Sequence, residues 1–120
     1  MIDHGTLRSR LMELHKALLE AERVQYERLH GRVTPNAFLQ ALTGDPSLTW
    51  LGPLSLAIVR LDELLELRGE QAELAAHLDG LRELLRLRES ADAFPQRYGE
   101  LVQQVPEVAF AHAALASVLG

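Results

Sequence analysis

Along this chain, aliphatic residues recur every three to four positions, the spacing that lines one face of an α-helix. Leu7, Leu11, Leu14, Leu18 and Ala21 make the first stripe, over roughly residues 5 to 30, and Gly31 follows as a natural stop. Thr34-Pro35 then supplies an N-cap and a first-turn proline for a short helix carrying Phe38, Leu39 and Leu42, which ends at Gly44. Asp45-Pro46 repeats that signal. The helix it opens meets Gly52-Pro53, where the spacing predicts either a kink or a short turn followed by a longer helix.

From Pro53 to Arg68, Leu54, Ile58, Leu61 and Leu65 form one stripe, with Leu56, Val59 and Leu67 on other faces. Gly69 suits a tight reversal into a segment from Glu70 to Glu89 with Leu74, Leu78, Leu81 and Leu85, and the two segments are expected to pair antiparallel. Two further helices are predicted. One begins at Pro95 with Tyr98, Leu101 and Val102; the other begins at Pro106 with Val108, Ala111, Leu115 and Val118. The last is almost uncharged after Glu107, so it is expected to dock into the core or onto a partner. No period-two alternation, internal repeat or low-complexity linker interrupts the pattern. The fold class is therefore all-α: one domain over residues 1–120, an up-and-down helical bundle of about four main helices plus one or two short ones.

Composition narrows the chemistry. With 48% hydrophobic and 24% charged residues the chain has the balance of a globular protein. It has no cysteine, which removes thiolate nucleophiles, zinc–thiolate sites and iron–sulfur clusters. A net charge of -5 lacks the basic face that phosphate contacts require, so no nucleic-acid partner is expected. The Met-Ile-Asp-His-Gly-Thr start has no basic and apolar leader pattern, and charge interrupts every longer apolar stretch. A cytoplasmic protein that neither spans nor binds a membrane is expected.

A few polar residues sit where a bland bundle would not need them. At about 100° per residue, Glu22 falls in the sector of Leu7, Leu11, Leu14, Leu18 and Leu29, flanked by His15 and Tyr26. An ionised carboxylate costs several kcal/mol to desolvate, so Glu22 is expected either to meet His15, Tyr26 or an Arg from another helix, or to lie at the stripe's edge and reach water. Asp62, at the edge of the third stripe, is a candidate partner for His15 or Tyr26, or else a solvated carboxylate. Glu27 and His30 have an E-x-x-H spacing, but a di-iron bundle needs two such pairs and two further inward glutamates. His4, His15, His30, His77 and His112 include no pair four apart, so the H-E-x-x-H zinc pattern is missing. His77 and His112 read as hydrogen-bonded core or interface residues. Trp50, the sole tryptophan, sits beside Gly52-Pro53 and is expected to anchor the break to the first helix or to line a pocket there. The serines lie in no nucleophile elbow and the glycines form no phosphate loop, so neither a catalytic residue nor a cofactor is expected.

The stretches AERVQYERLHGRV (21–33), DPSLTWLGPLSLAIVRLDE (45–63) and PEVAFAHAAL (106–115) resemble a group of small bacterial helical proteins of no assigned function. In that group an aromatic and a larger polar residue are associated with the positions filled here by Leu48 and Gly52. The resemblance implies a small stand-alone bacterial cytosolic protein and carries over no catalytic residue.

Two functions are consistent with this sequence. The first is a non-enzymatic helical interaction protein, homodimeric or bound to a protein partner, because Leu56, Leu67 and Leu87 lie off the core stripes and leave apolar surface to cover. The second is a small-ligand- or metal-binding bundle with a pocket near His15, Glu22, Tyr26 and Asp62, extended by His30 and Trp50.

Overall fold

Helix ends in this protein are set by local hydrogen bonds that the sequence encodes. The computed structural model describes residues 3–66 and 71–120, which run as α1 (His4–His30), α2 (Pro35–Gly44), a 3₁₀ turn (Thr49–Leu51), α3 (Gly52–Glu66), α4 (Gln71–Leu84), α5 (Ala93–Gln104) and α6 (Pro106–Leu119). There is no strand among the described residues. Asp3 caps α1, accepting from the Gly5 N–H and the Thr6 hydroxyl. Gly31 ends it at φ 81°, a left-handed conformation that only glycine adopts without strain, and returns its N–H to the Glu27 carbonyl. Thr34 caps α2 by accepting from the Ala37 N–H, and Pro35 fills the first turn. The expected Pro35–Gly44 and Pro106 helices are therefore found as predicted.

Three boundaries differ from expectation. Asp45-Pro46 opens a turn instead of a helix: the Asp45 carboxylate accepts from both the N–H and the hydroxyl of Ser47, so side chain and backbone are held in a turn before the 3₁₀ segment. Gly52-Pro53 consequently starts α3 instead of interrupting it, the second of the two predicted outcomes. α4 stops at Leu84, short of Glu89, because it has run past the start of its partner. His77 bonds the Ala57 carbonyl and Arg60 pairs with Glu73, an antiparallel register in which residues beyond Leu84 have no part of α3 to pack on. α5 starts at Ala93, so Pro95 lies inside its first turn, where no N–H is needed. Leu67, Arg68, Gly69 and Glu70, and with them the reversal expected at Gly69, lie outside the described residues.

Packing contacts close a ring in which α1 touches α3, α3 touches α4, α4 touches α6, and α6 lies along α1. α5 packs on α6, and α2 reaches the rest mainly through the 3₁₀ turn. α1 and α3 are antiparallel, as the pairs Arg8–Asp62, His15–Ser55 and Glu22–Trp50 show. Leu7, Leu11, Leu14 and Leu18 of α1 are buried, as are Leu54, Ile58 and Leu61 of α3 and Leu78, Leu81 and Leu85 after them. Leu64, not Leu65, completes the buried row of α3. Leu29, expected in the core sector of α1, is 69% exposed. The last two turns of α1 extend past the 3₁₀ turn, whose Trp50 lies opposite Glu22, so an inward-pointing leucine there finds no core. No helix among the described residues is long and apolar enough to cross a membrane.

Burial separates the leucines energetically. Leu14→Ala, at a fully buried site, is expected to lower stability by about 2–5 kcal/mol, whereas Leu56→Ala on the open face of α3 should stay within about 0.5 kcal/mol. Denaturant unfolding of the two variants, followed by circular dichroism, measures both.

Candidate functional site

The stripe arithmetic that placed Glu22 on the leucine face of α1 places a carboxylate where water is almost excluded: the residue is 3% exposed. Its two oxygens are satisfied from two other elements. Oε2 accepts from Trp50 Nε1 of the 3₁₀ turn at 3.1 Å, and Oε1 accepts from Arg97 Nη2 of α5 at 2.5 Å. Arg97 donates in turn through Nη1 to Glu100 Oε2 at 2.9 Å, one turn further along α5. Partial burial of the guanidinium opposes its charge, but the hydrogen bonds to Glu22 and Glu100 outweigh burial and hold its pKa above the ordinary arginine value.

These groups form the floor of a cleft of about 490 Å³ between the last turns of α1, the turn at 46–50 and the start of α5. Tyr26, Leu29, Leu48 and Trp50 supply its apolar wall, and Gln25, Gln96 and Glu100 its polar rim. Tyr26 packs against His30 with the rings tilted by 37° and their centroids 4.3 Å apart, and meets Phe38 of α2 edge-on at 6.1 Å. Of the sequence-derived candidates the structure thus brings together Glu22, Tyr26 and Trp50, with His30 behind Tyr26.

His15 and Asp62 do not join them. Of the two readings of Asp62, a partner of His15 or Tyr26 or a solvated edge carboxylate, the structure has the second: it lies at an exposed edge in a two-pronged pair with Arg8, Nε to Oδ1 at 2.6 Å and Nη2 to Oδ2 at 3.3 Å. The antiparallel pairing of α1 with α3 is the cause, since it sets Asp62 about two helical turns from His15 and about four from Glu22. His15 bonds Ser55 Oγ through Nε2 at 3.1 Å. Glu27 pairs with Arg23 and accepts from the Val33 N–H, so the E-x-x-H carboxylate serves the end of α1. Among the described residues no three His, Asp or Glu side chains gather as a metal site needs.

Two features escaped sequence reasoning. Arg97 is the first: α5 shows its apolar spacing, but nothing in it announces that its one arginine reaches across to α1. The second is an aromatic run from Trp50 to Phe94 to Tyr98 to His112, with centroids 5.3, 5.4 and 5.5 Å apart, joining the 3₁₀ turn, α5 and α6. At its end the Tyr98 hydroxyl and His112 Nδ1 meet at 2.6 Å. Burial pushes the Tyr98 phenol up, so it stays protonated, and pushes the imidazoles of His112 and His15 below the usual histidine value. A second cavity, of about 290 Å³, brings Arg82 and Arg86 beside His112.

No protein family, curated protein or solved structure matches the chain.

Glu22→Ala removes the partner of a buried indole N–H and of a guanidinium at once. Breaking a buried pair costs about 3–5 kcal/mol; because the Arg97 side chain keeps 28% exposure, about 2–3 kcal/mol is expected here, with a red shift in the emission of Trp50, the sole tryptophan. Chemical denaturation and fluorescence read these. The lowered histidine values also set a pH dependence. The unfolded chain takes up protons near the ordinary histidine pKa, about 6.5, and the folded chain only at lower pH, so stability is complete above that value and falls as pH drops from about 7 to about 5. His112→Gln, whose amide accepts from Tyr98 without titrating, should flatten this slope in thermal melts.

Proposed function

We propose that this chain is a non-enzymatic interaction protein that pairs with a second copy of itself through the outer face of α6. The observation that carries the reading is a second stripe on that helix. Val108, Ala111, Leu115 and Leu119 face the core, while Pro106, Phe110, Ala113 and Ser117 recur at four-three-four spacing on the opposite side. All four are exposed and none is charged, and Phe110 is 76% exposed. A surface helix normally turns charge toward water; one apolar on both sides has a second surface to cover. Four-three-four spacing is that of a helix–helix seam.

A second copy fits this face better than an unrelated chain. The stripe has one large side chain, Phe110, and small neighbours in Ala113 and Ser117. In a two-fold pairing each ring lies on the partner's small residues, so one surface serves as both knob and hole. The four stripe residues carry no charge, and Glu107 at the N-terminal flank is the one charge on this helix, too little to select a foreign partner electrostatically. The bacterial cytosolic setting suggested by the resemblance is consistent with a small stand-alone dimer.

Light scattering coupled to size-exclusion chromatography tests the reading. A dimer is expected at micromolar concentration, and Phe110→Glu should yield a monomer with the helical content of the parent. A parent that remains monomeric at high micromolar concentration, or a variant that remains dimeric, would rule out pairing through α6.

A further inference from the structure

The half-open cleft floored by Glu22 and Arg97 joins an apolar wall to an unbalanced set of charges. At about 490 Å³ it falls within the range of ligand pockets, and its wall of Tyr26, Leu29, Leu48 and Trp50 offers an apolar bed. Its ionisable lining is unbalanced. Two carboxylates, Glu22 and Glu100, share one guanidinium, Arg97, and no lysine or histidine lines the space. The buried Glu22 is matched by Arg97 and Trp50, so the surplus charge falls on Glu100 at the rim. There Oε2 takes the Arg97 hydrogen bond, and Oε1 has no partner among the side chains of the described residues. The amide carbonyl of Gln96 on the same rim offers a further acceptor.

We propose that this cleft binds an amphipathic organic cation, a primary ammonium carried on an aromatic or branched aliphatic body. The body lies on Leu29 and the ring of Tyr26, over the buried Leu48, and the ammonium donates to Glu100 Oε1 and the Gln96 carbonyl. An anion of the same shape meets an uncompensated carboxylate and is rejected, and a neutral analogue loses the charge-assisted bonds. Arg97 is a positioning residue: held by Glu22, it fixes one oxygen of Glu100 and leaves the other for the ligand. The assignment does not depend on pairing through α6, whose outer stripe contributes nothing to the cleft.

Trp50, the sole tryptophan and part of the wall, provides the readout. Titration with phenethylamine at pH 7 is expected to give a saturable change in its emission, with 2-phenylethanol binding about tenfold more weakly and phenylacetate showing no saturation. Glu100→Gln, at a half-exposed position, should keep the parent's melting temperature to within a few degrees while bringing amine and alcohol to about equal affinity. Tyr26→Ala should weaken both compounds alike. No saturable response to phenethylamine, an equal response to the alcohol or the acid, or an undiminished preference for the amine in folded Glu100→Gln would each overturn the assignment.

Discussion

The carboxylate of Glu22 is the constraint around which one end of this molecule is arranged. A charge 97% removed from solvent is tolerable only if both of its oxygens are matched, and the matching groups come from two segments distant in sequence: the 3₁₀ turn through Trp50, and α5 through Arg97. α1 is thereby tied to elements it would otherwise meet only through non-directional leucine contacts. Burial of apolar area holds the helices together, but it does not decide register closely, since leucine stripes can slide by a turn at modest cost. A buried carboxylate that must find one indole and one guanidinium is far less permissive.

The same residues hold the first turns of α5, where Asp92 makes no side-chain cap. Phe94 lies between the rings of Trp50 and Tyr98, and Arg97 is held between Glu22 and Glu100. The aromatic run then passes through Tyr98 to His112 and so to α6. A cation and a chain of rings thus carry the connection from the end of α1 to the final helix. The cleft is a consequence of this geometry. Where α1 runs on past the core, its last two turns, the turn at 46–50 and α5 diverge, and the space between them is lined by the groups that hold them.

α6 makes the opposite use of hydrophobicity. Its inner stripe seats it along α1, and its outer stripe keeps no charge for water. Leu56 and Val59 on α3 form a smaller exposed apolar pair one turn apart, broken by the neighbouring charges of Arg60 and Glu63. The outer stripe of α6 has only Glu107 beside its N-terminal end and no charge further along, which distinguishes the two faces more clearly than the count of exposed leucines does.

The sequence by itself determined the all-α class, the end of α1, both ends of α2 and the start of α6, because stripes at 3.6-residue spacing, the Thr34-Pro35 cap, Pro106 and Gly31 act within a few residues of one another. It put Glu22 on the leucine face of α1 but left open whether that carboxylate is buried or reaches water, and Leu29 on the same face is exposed. It did not determine where α4 stops, whether Leu29 is covered, or which residues Glu22 and Asp62 meet. Those depend on how far each helix overlaps its neighbour, a property of two segments at once. Asp62 went to Arg8 and not to His15 because α3 runs antiparallel to α1 in one particular register, and Arg97 became the partner of Glu22 because α5 crosses there. Local hydrogen bonding and side-chain period are written in consecutive residues; overlap and crossing are settled only when the helices pack.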